Sequence, residues 1–396
     1  VRLAFAGDVA STQCRETEIP LDANHSVARL DACGEHETDD LLWHLDRIDQ
    51  IAGQLDGAFD RRNGGSGSVV YVMDTGVMAS HSEFAVANAR SRVIAGYDAT
   101  GSVTIGRSLC GNSAGNKALD PCFNGFDELP AASHGTSVAS IVAGHNVGVA
   151  PEALVVSIRV MNERGLATTR TYLDGLDAII RHAWDPSSPT FRTGIVNISG
   201  WVLEKLTNAD SSPVPFAMVE RRMRDMIVGV DAAGRVDPDG KRFLFVVAAN
   251  NTDGGCGISG VIDRFPAILG TKIDGLITVG GMTANNTAWT GSCRGGVEVL
   301  APAQGIFSAT ITAPDQYRGL RPNLRSGTSF AAPIIAGIAA RLLSDRPDLT
   351  PQQLESWITA TPSRVESPNR QFADGKVAYV RSIAPASAVM ASRSTP

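Results

Sequence analysis

No stretch of about 18 consecutive apolar residues occurs in this chain, so no segment reads as a membrane-spanning helix. Basic residues do not outnumber acidic ones: 35 Lys and Arg stand against 41 Asp and Glu, a formal net charge of −6. A nucleic-acid partner, which asks for a basic face, is therefore not expected. There is no CxxC pair and no His at zinc-finger spacing, which argues against structural zinc. No internal repeat or low-complexity block interrupts the sequence. Beginning at Val1, without Met or a cleavable apolar segment, the chain reads as a processed or truncated product whose targeting signal is already gone.

What is present is enough apolar residue to bury a large core: 43% of 396 residues. Short runs rich in Val, Ile, Leu and Phe fall at 68–73, 154–160, 194–198, 242–249, 276–279 and 297–300. They lack polar alternation, as strands covered on both faces do. Helical patterns lie between or after them, at 134–144, 168–184, 215–230 and 330–344. This alternation predicts an α/β fold, a three-layer α/β/α arrangement around a doubly wound, mostly parallel sheet. Active groups in such a fold collect where strands end and helices begin. The last pattern, FAAPIIAGIAARLLS, is apolar nearly all round and belongs in a core. Pro333, read as lying in its first turn, sets the helix start at or just before Ser329. We expect an N-terminal extension over 1–40, a main domain over 41–385 and a C-terminal tail over 386–396.

The six cysteines are Cys14, Cys33, Cys110, Cys122, Cys256 and Cys293. An even number scattered through loop-like sequence suggests disulfides and a secreted or otherwise extracytoplasmic protein. Closeness along the chain favours Cys14–Cys33 and Cys110–Cys122, the latter stapling a Gly- and Asn-rich insertion at 101–130, and leaves Cys256–Cys293. Six free thiols in a reducing compartment is the other option.

Three segments carry chemistry. In VVYVMDTGV (69–77), a buried strand ends in Asp74 before a Thr-Gly turn. The plain role for such an Asp is to cap its own turn. In SHGTSVASIVAG (133–144), His134 opens a helix of small residues. There the helix dipole disfavours the imidazolium, as suits a general base, although a capping histidine would look the same. In SGTSFAAP (326–333), Ser329 lies where a loop meets the buried helix, near unpaired N–H groups of the first turn. An N-cap serine is the commoner job there, and a serine nucleophile needs a His partner. The three occur in the order Asp, His, Ser, each at a strand or helix end, which is the chain order of subtilisin. No GxSxG elbow exists, which tells against the α/β-hydrolase order. A fourth segment, FLFVVAANNTDGG (243–255), offers Asn250 and Asn251.

On these motifs the chain resembles the subtilisin-like serine proteases (subtilases), on the proteinase K side. YVMDTGVMASHSEF (71–84) is similar to that branch's aspartate segment, and LWHLDRI (42–48) to the start of its mature enzymes. The likeness runs over roughly 42–385, as motif islands with diverged stretches between. It implies a serine endopeptidase in which Asp74 orients His134, His134 takes the Ser329 proton, and an acyl-enzyme forms and is hydrolysed. The family's Ala-Ala-Gly-Asn pattern aligns Asn251 with the oxyanion donor and Asn250 with the glycine; asparagine tolerates the left-handed conformation a glycine there would adopt. Extended or unfolded polypeptide substrates would lie between Gly165-Leu166-Ala167 and Ser199-Gly200-Trp201, with Trp201, a departure from the family's Ser-Leu-Gly, narrowing the cleft or leaning outward. A monomer is expected.

Other positions depart from the family. Ser137 and Val138 follow Gly-Thr where that branch often has His and Cys. GHNVGVAP (144–151) is too short for the calcium loop of bacterial subtilisins. No cofactor is required for the chemistry. A structural calcium like that of proteinase K would draw on Pro266, Ile268 and Glu298, though Glu298 reads more simply as a surface acid facing solvent. No inhibitory propeptide is recognisable in 1–40, and we expect it to have been cut away. Two other functions stay open: a catalytically silent binding module on this fold, against which all three triad residues are kept, and a transpeptidase or cyclase, in which an amine replaces water.

Overall fold

A computed structural model describes residues 16–22, 25–30, 42–49, 55, 57–60, 63–86, 90–100, 133–162, 164–202, 214–230, 234–236, 240–311, 317–318 and 325–360. Seven strands build its main sheet: β1 (Val69–Asp74), β2 (Val93–Asp98), β3 (Leu154–Arg159), β4 (Thr193–Ile198), β5 (Arg242–Ala248), β6 (Leu276–Met282) and β7 (Val299–Pro302). Their order is β7-β6-β5-β4-β1-β3-β2, and every neighbouring pair is parallel. β1 is the pivot. It pairs through Val70 with Val155 of β3 on one side and with Ile195 of β4 on the other. The chain passes from β3 over β1 to β4, so the winding reverses there and the carboxyl ends of these strands flank a crevice.

The helices are α1 (Trp43–Asp49), α2 (His134–Ala143), α3 (Thr169–Trp184), α4 (Phe216–Val228), α5 (Thr328–Asp345) and α6 (Pro351–Thr359). Alternation along each strand divides the core into two layers. Val70, Val72, Leu244 and Val246 pack with Val138 and Ile141 of α2 and Ile334, Ile335 and Ile338 of α5. Tyr71, Met73, Phe243 and Phe245 face the other way, against Tyr172 and Leu176 of α3 and Val219 and Met223 of α4. The architecture is three-layer α/β/α. Each fully buried Ile or Phe contributes about 1.5–3 kcal/mol, which explains why the central strands need no polar face. α3 starts on a capping box in which Thr168 and Thr171 satisfy each other's backbone N–H groups, and α4 stops at Gly229 in the left-handed conformation.

Two details depart from expectation. Pro333 is the sixth residue of α5, in its second turn rather than its first. Its ring therefore removes the N–H that would have bonded to the Ser329 carbonyl. The edge strand β2 escaped the apolar-run criterion because VIAGYD is mostly half-exposed. Within the expected N-terminal extension, Glu16–Asp22 and His25–Leu30 form an antiparallel hairpin, and the second of these strands pairs with Ala58–Asp60. Cys14, Cys33, Cys110 and Cys122, the insertion at 101–130 and the tail at 386–396 lie outside the described residues. Cys256 and Cys293 form the expected disulfide, with Cα atoms 5.7 Å apart.

Candidate active site

Asp74 is the last residue of β1 and is fully buried. One carboxylate oxygen accepts the Thr75 N–H at 2.7 Å, and both lie 2.9 Å from His134 Nδ1. A buried carboxylate can only accept, so Nδ1 carries the hydrogen and the Nε2 lone pair is turned away from the acid. The imidazole is 20% exposed where its partner is 0%. Gly135 permits this approach. A Cβ there would stand 2.4 Å from the Gly76 carbonyl and 3.1 Å from Asp74 Oδ1. The Thr75 hydroxyl accepts the Gly135 N–H at 3.0 Å, locking the start of α2 to the end of β1. At the far end of α2, Arg92 donates to the Ala143, Pro151 and Glu83 carbonyls, placing a cation where the helix dipole favours one. The Glu83 carboxylate accepts from the N–H groups of Asn146 and Val147 and from Asn146 Nδ2.

Ser329 is the second residue of α5, with Oγ donating to the Ser199 carbonyl at 3.0 Å. Among the described residues no hydrogen bond joins Ser329 to His134, but both line one cleft of about 350 Å³. Phe330 packs beside the imidazole at 5.6 Å between ring centroids. Asn251 lines the same cleft. Its Oδ1 accepts from Thr328 N at 2.9 Å and from Thr328 Oγ1 at 3.2 Å, so the amide oxygen faces α5 and Nδ2 is left to donate. Asn250 has φ 72°, in the left-handed region that asparagine tolerates. The loop carrying both is tied down by Cys293 N–H to the Asn250 carbonyl, Thr252 N–H to Gly291, Gly255 N–H to Asn251, and the Cys256–Cys293 disulfide.

The expected substrate-binding segments divide. Ser199, Gly200, Trp201 and Gly165 line the cleft; Leu166 and Ala167 do not. Leu166 is 40% exposed, with its N–H given to Asn162 Oδ1 and its carbonyl accepting the Asn162 N–H, so both backbone groups are engaged within the turn. Ala167 is buried. Trp201 lines the cleft while remaining 36% exposed, with the Arg264 guanidinium 5.5 Å from its ring centroid. Thr75, Met161, Asp253, Gly254 and Gly255 complete the lining apart from Asn250. Reasoning from sequence passed over Thr75, whose hydroxyl fixes α2, and nothing in the motif beyond its place after Asp74 marks it. Ser137, one of the departures, donates to the Ala309 carbonyl at 2.7 Å and secures α2 from outside.

The residues suggested for calcium do not fit a cation. Glu298 is not a surface acid facing solvent: it is half-buried, accepts the Thr278 N–H at 2.8 Å, and shares a hydrogen bond with Glu355. Burial, joined by the Glu355 charge, pushes its carboxyl up to about 8. The Pro266 carbonyl accepts the Leu269 N–H, and Ile268 is exposed. Among the described residues no group of three or more His, Cys, Asp or Glu is placed to hold a metal ion.

A doubly wound parallel sheet with Asp, His, Ser and Asn gathered around one crevice is the arrangement of a subtilisin-like protein. The family model of the subtilases matches residues 65–376, and the chain belongs to that family, on its proteinase K-like side. It is 30% identical over 331 residues to the extracellular serine proteinase of Thermus sp. (strain Rt41A), covering 83% of this chain and 63% of that protein. To the alkaline serine exoprotease A of Vibrio alginolyticus it is 28% identical over 343 residues, 85% of this chain and 50% of the other. The chain thus spans less than two thirds of the length of these relatives. Among solved structures it is similar to a cold adapted subtilisin-like serine proteinase, with TM-score 0.62 and 25% identity over 86% of this chain and 98% of that one.

Proposed function

We propose that this chain is a serine endopeptidase acting on extended polypeptides through an acyl-enzyme. The observation that carries the reading is a buried carboxylate bound to Nδ1 of an imidazole that lines the same cleft as Ser329. In the reaction the Ser329 hydroxyl would leave the Ser199 carbonyl for the His134 Nε2; hydrogen bonds of this kind are often loose until substrate binds. His134 Nε2 then removes the Oγ proton as Oγ attacks the scissile carbonyl carbon. The resulting oxyanion receives hydrogen bonds from Asn251 Nδ2 and from the Ser329 N–H, one of the unpaired donors of the first turn of α5. Asp74 balances the imidazolium, which returns its proton to the leaving amine, and water releases the acyl group.

The same proposal takes 41–385 as the peptidase unit, 1–40 as an extension and 386–396 as a tail, acting as a monomer. It sets the protein outside the cytoplasm, supported by the disulfide and by a relative named as extracellular. Labelling with a fluorophosphonate and mapping the adduct tests it. Attachment at Ser329, abolished by unfolding, is expected. Attachment elsewhere, or none on a folded chain, removes the proposal.

A further inference from the structure

Hydrogen bonds join Asp74 to His134, but among the described residues none joins His134 to Ser329. The placement of base against hydroxyl therefore depends on how the start of α2 meets the start of α5. Arg325, just ahead of α5, bridges the two. Its backbone belongs to the α5 side. The Arg325 carbonyl accepts the Ile306 N–H at 2.8 Å, and two residues on the Gly327 N–H donates to the Ala303 carbonyl at 2.8 Å. Its side chain reaches the α2 side, where Nη2 donates to the hydroxyl of Ser133, the residue before His134. Ser133 is 1% exposed, and its hydroxyl makes no capping bond to α2. The guanidinium carbon also stands 5.7 Å from the centroid of the Phe330 ring, whose centroid lies 5.6 Å from that of the imidazole. Phe330 follows Ser329 directly and is buried. One guanidinium thus engages a chain neighbour of the base and a chain neighbour of the hydroxyl.

We propose that Arg325 is a positioning residue for the reaction: by tying Ser133 to Phe330 it sets the approach of His134 to Ser329. The planar guanidinium suits this task, because it lies against a ring and donates through its edge at the same time, which an ammonium does not. No Lys or Arg lines the cleft, so the residue acts through its neighbours rather than on the substrate. Misplacing reacting groups by about 1 Å costs on the order of 10²-fold in rate, so a partial loosening of this link is measurable. The inference rests on the serine endopeptidase reading.

The test measures kcat and KM on a cleaved peptide, the rate of fluorophosphonate labelling at Ser329, and Tm. Arg325→Met keeps the apolar stem without the donors; kcat should fall by about tenfold or more with KM within about twofold, and labelling should slow in step. Arg325→Lys keeps a charged donor and should recover part of that loss. Ser133→Ala cuts the same link from the other helix and should also lower kcat. The double variant Ser133→Ala, Arg325→Met should match Arg325→Met within about twofold, since a link already cut cannot be cut again. If Arg325→Met does not fold, Ser133→Ala and Arg325→Lys carry the comparison. Single variants with kcat within about twofold of the parent, even at lower Tm, or a double loss equal to the product of the single losses, overturn the inference. The protease reading survives that result while the parent is labelled at Ser329. A folded parent chain that neither cleaves nor is labelled loses both.

Discussion

An acid lies toward each rim of the main sheet, Asp74 fully buried and Glu298 half-buried, and the two meet different company. At the carboxyl rim, Asp74 faces an imidazole and a backbone N–H, so its charge is compensated and its neighbours are fixed. Toward the amino rim, Glu298 just before β7 meets the Glu355 carboxyl of α6, and Glu355 accepts the Gly275 N–H ahead of β6. Burial pushes both of these carboxyls up. The same residue chemistry thus gives an acid–imidazole pair on one rim and an acid–acid pair with raised carboxyls on the other. An imidazole across from one acid and a second carboxyl across from the other set the two pairs apart.

The comparison breaks first at the hydroxyl. Ser329→Ala should fold normally, since small residues surround the helix start, and lose about 10⁶-fold in kcat, a scale carried over from subtilisin itself. Near-parental turnover of a cleaved peptide would move the nucleophile elsewhere. Asp74→Asn should keep the packing but release the imidazole from the tautomer that frees Nε2, with a loss of about 10⁴-fold. Turnover within tenfold of the parent would show that the acid is only a turn cap. Asn251→Ala should lower kcat by about 10²–10³-fold with little change in KM, again a subtilisin magnitude. Asn250→Ala, by contrast, should chiefly destabilise, by about 1–2 kcal/mol, because alanine is strained at positive φ. If urea unfolding and kinetics assign these two phenotypes the other way round, the loop alignment is off by one.

The amino rim gives the smallest effect and the clearest sign. Glu298 has its carboxyl raised in the folded state, so the fold binds the proton more tightly than the unfolded chain does. Its contribution is fully present below the ordinary carboxylate range and is lost as pH rises toward about 8. Glu298→Gln keeps an acceptor for the Thr278 N–H and cannot ionise. Its Tm should therefore improve relative to the parent as pH goes from acid to alkaline, by roughly 2–4 °C for each kcal/mol recovered. A Tm difference independent of pH would mean that the pair is not a proton-sharing joint.

Much of this was legible in the sequence because the informative residues sit at element ends. A buried run closed by Asp74, a small-residue helix opened by His134, and an apolar helix headed by Ser329 each announce both a strand or helix and its terminus. The oxyanion candidate was less legible: choosing between Asn250 and Asn251 required a family pattern. The bonds from Thr328 to Asn251 Oδ1 and the left-handed φ at Asn250 are tertiary facts. Glu298 was misjudged because its partner Glu355 lies on a helix whose docking no local pattern reveals. β2 was missed for a related reason, since an edge strand is only half covered and need not be apolar throughout.

α5 carries the hydroxyl and also fills the layer against β4, β5, β6 and β7. Placement of the Ser329 hydroxyl and closure of the core are therefore one event, and it joins segments far apart along the chain. Up to that docking step, acid and base confront an empty crevice. On the proposed chemistry, a half-folded copy has nothing with which to cut its neighbours.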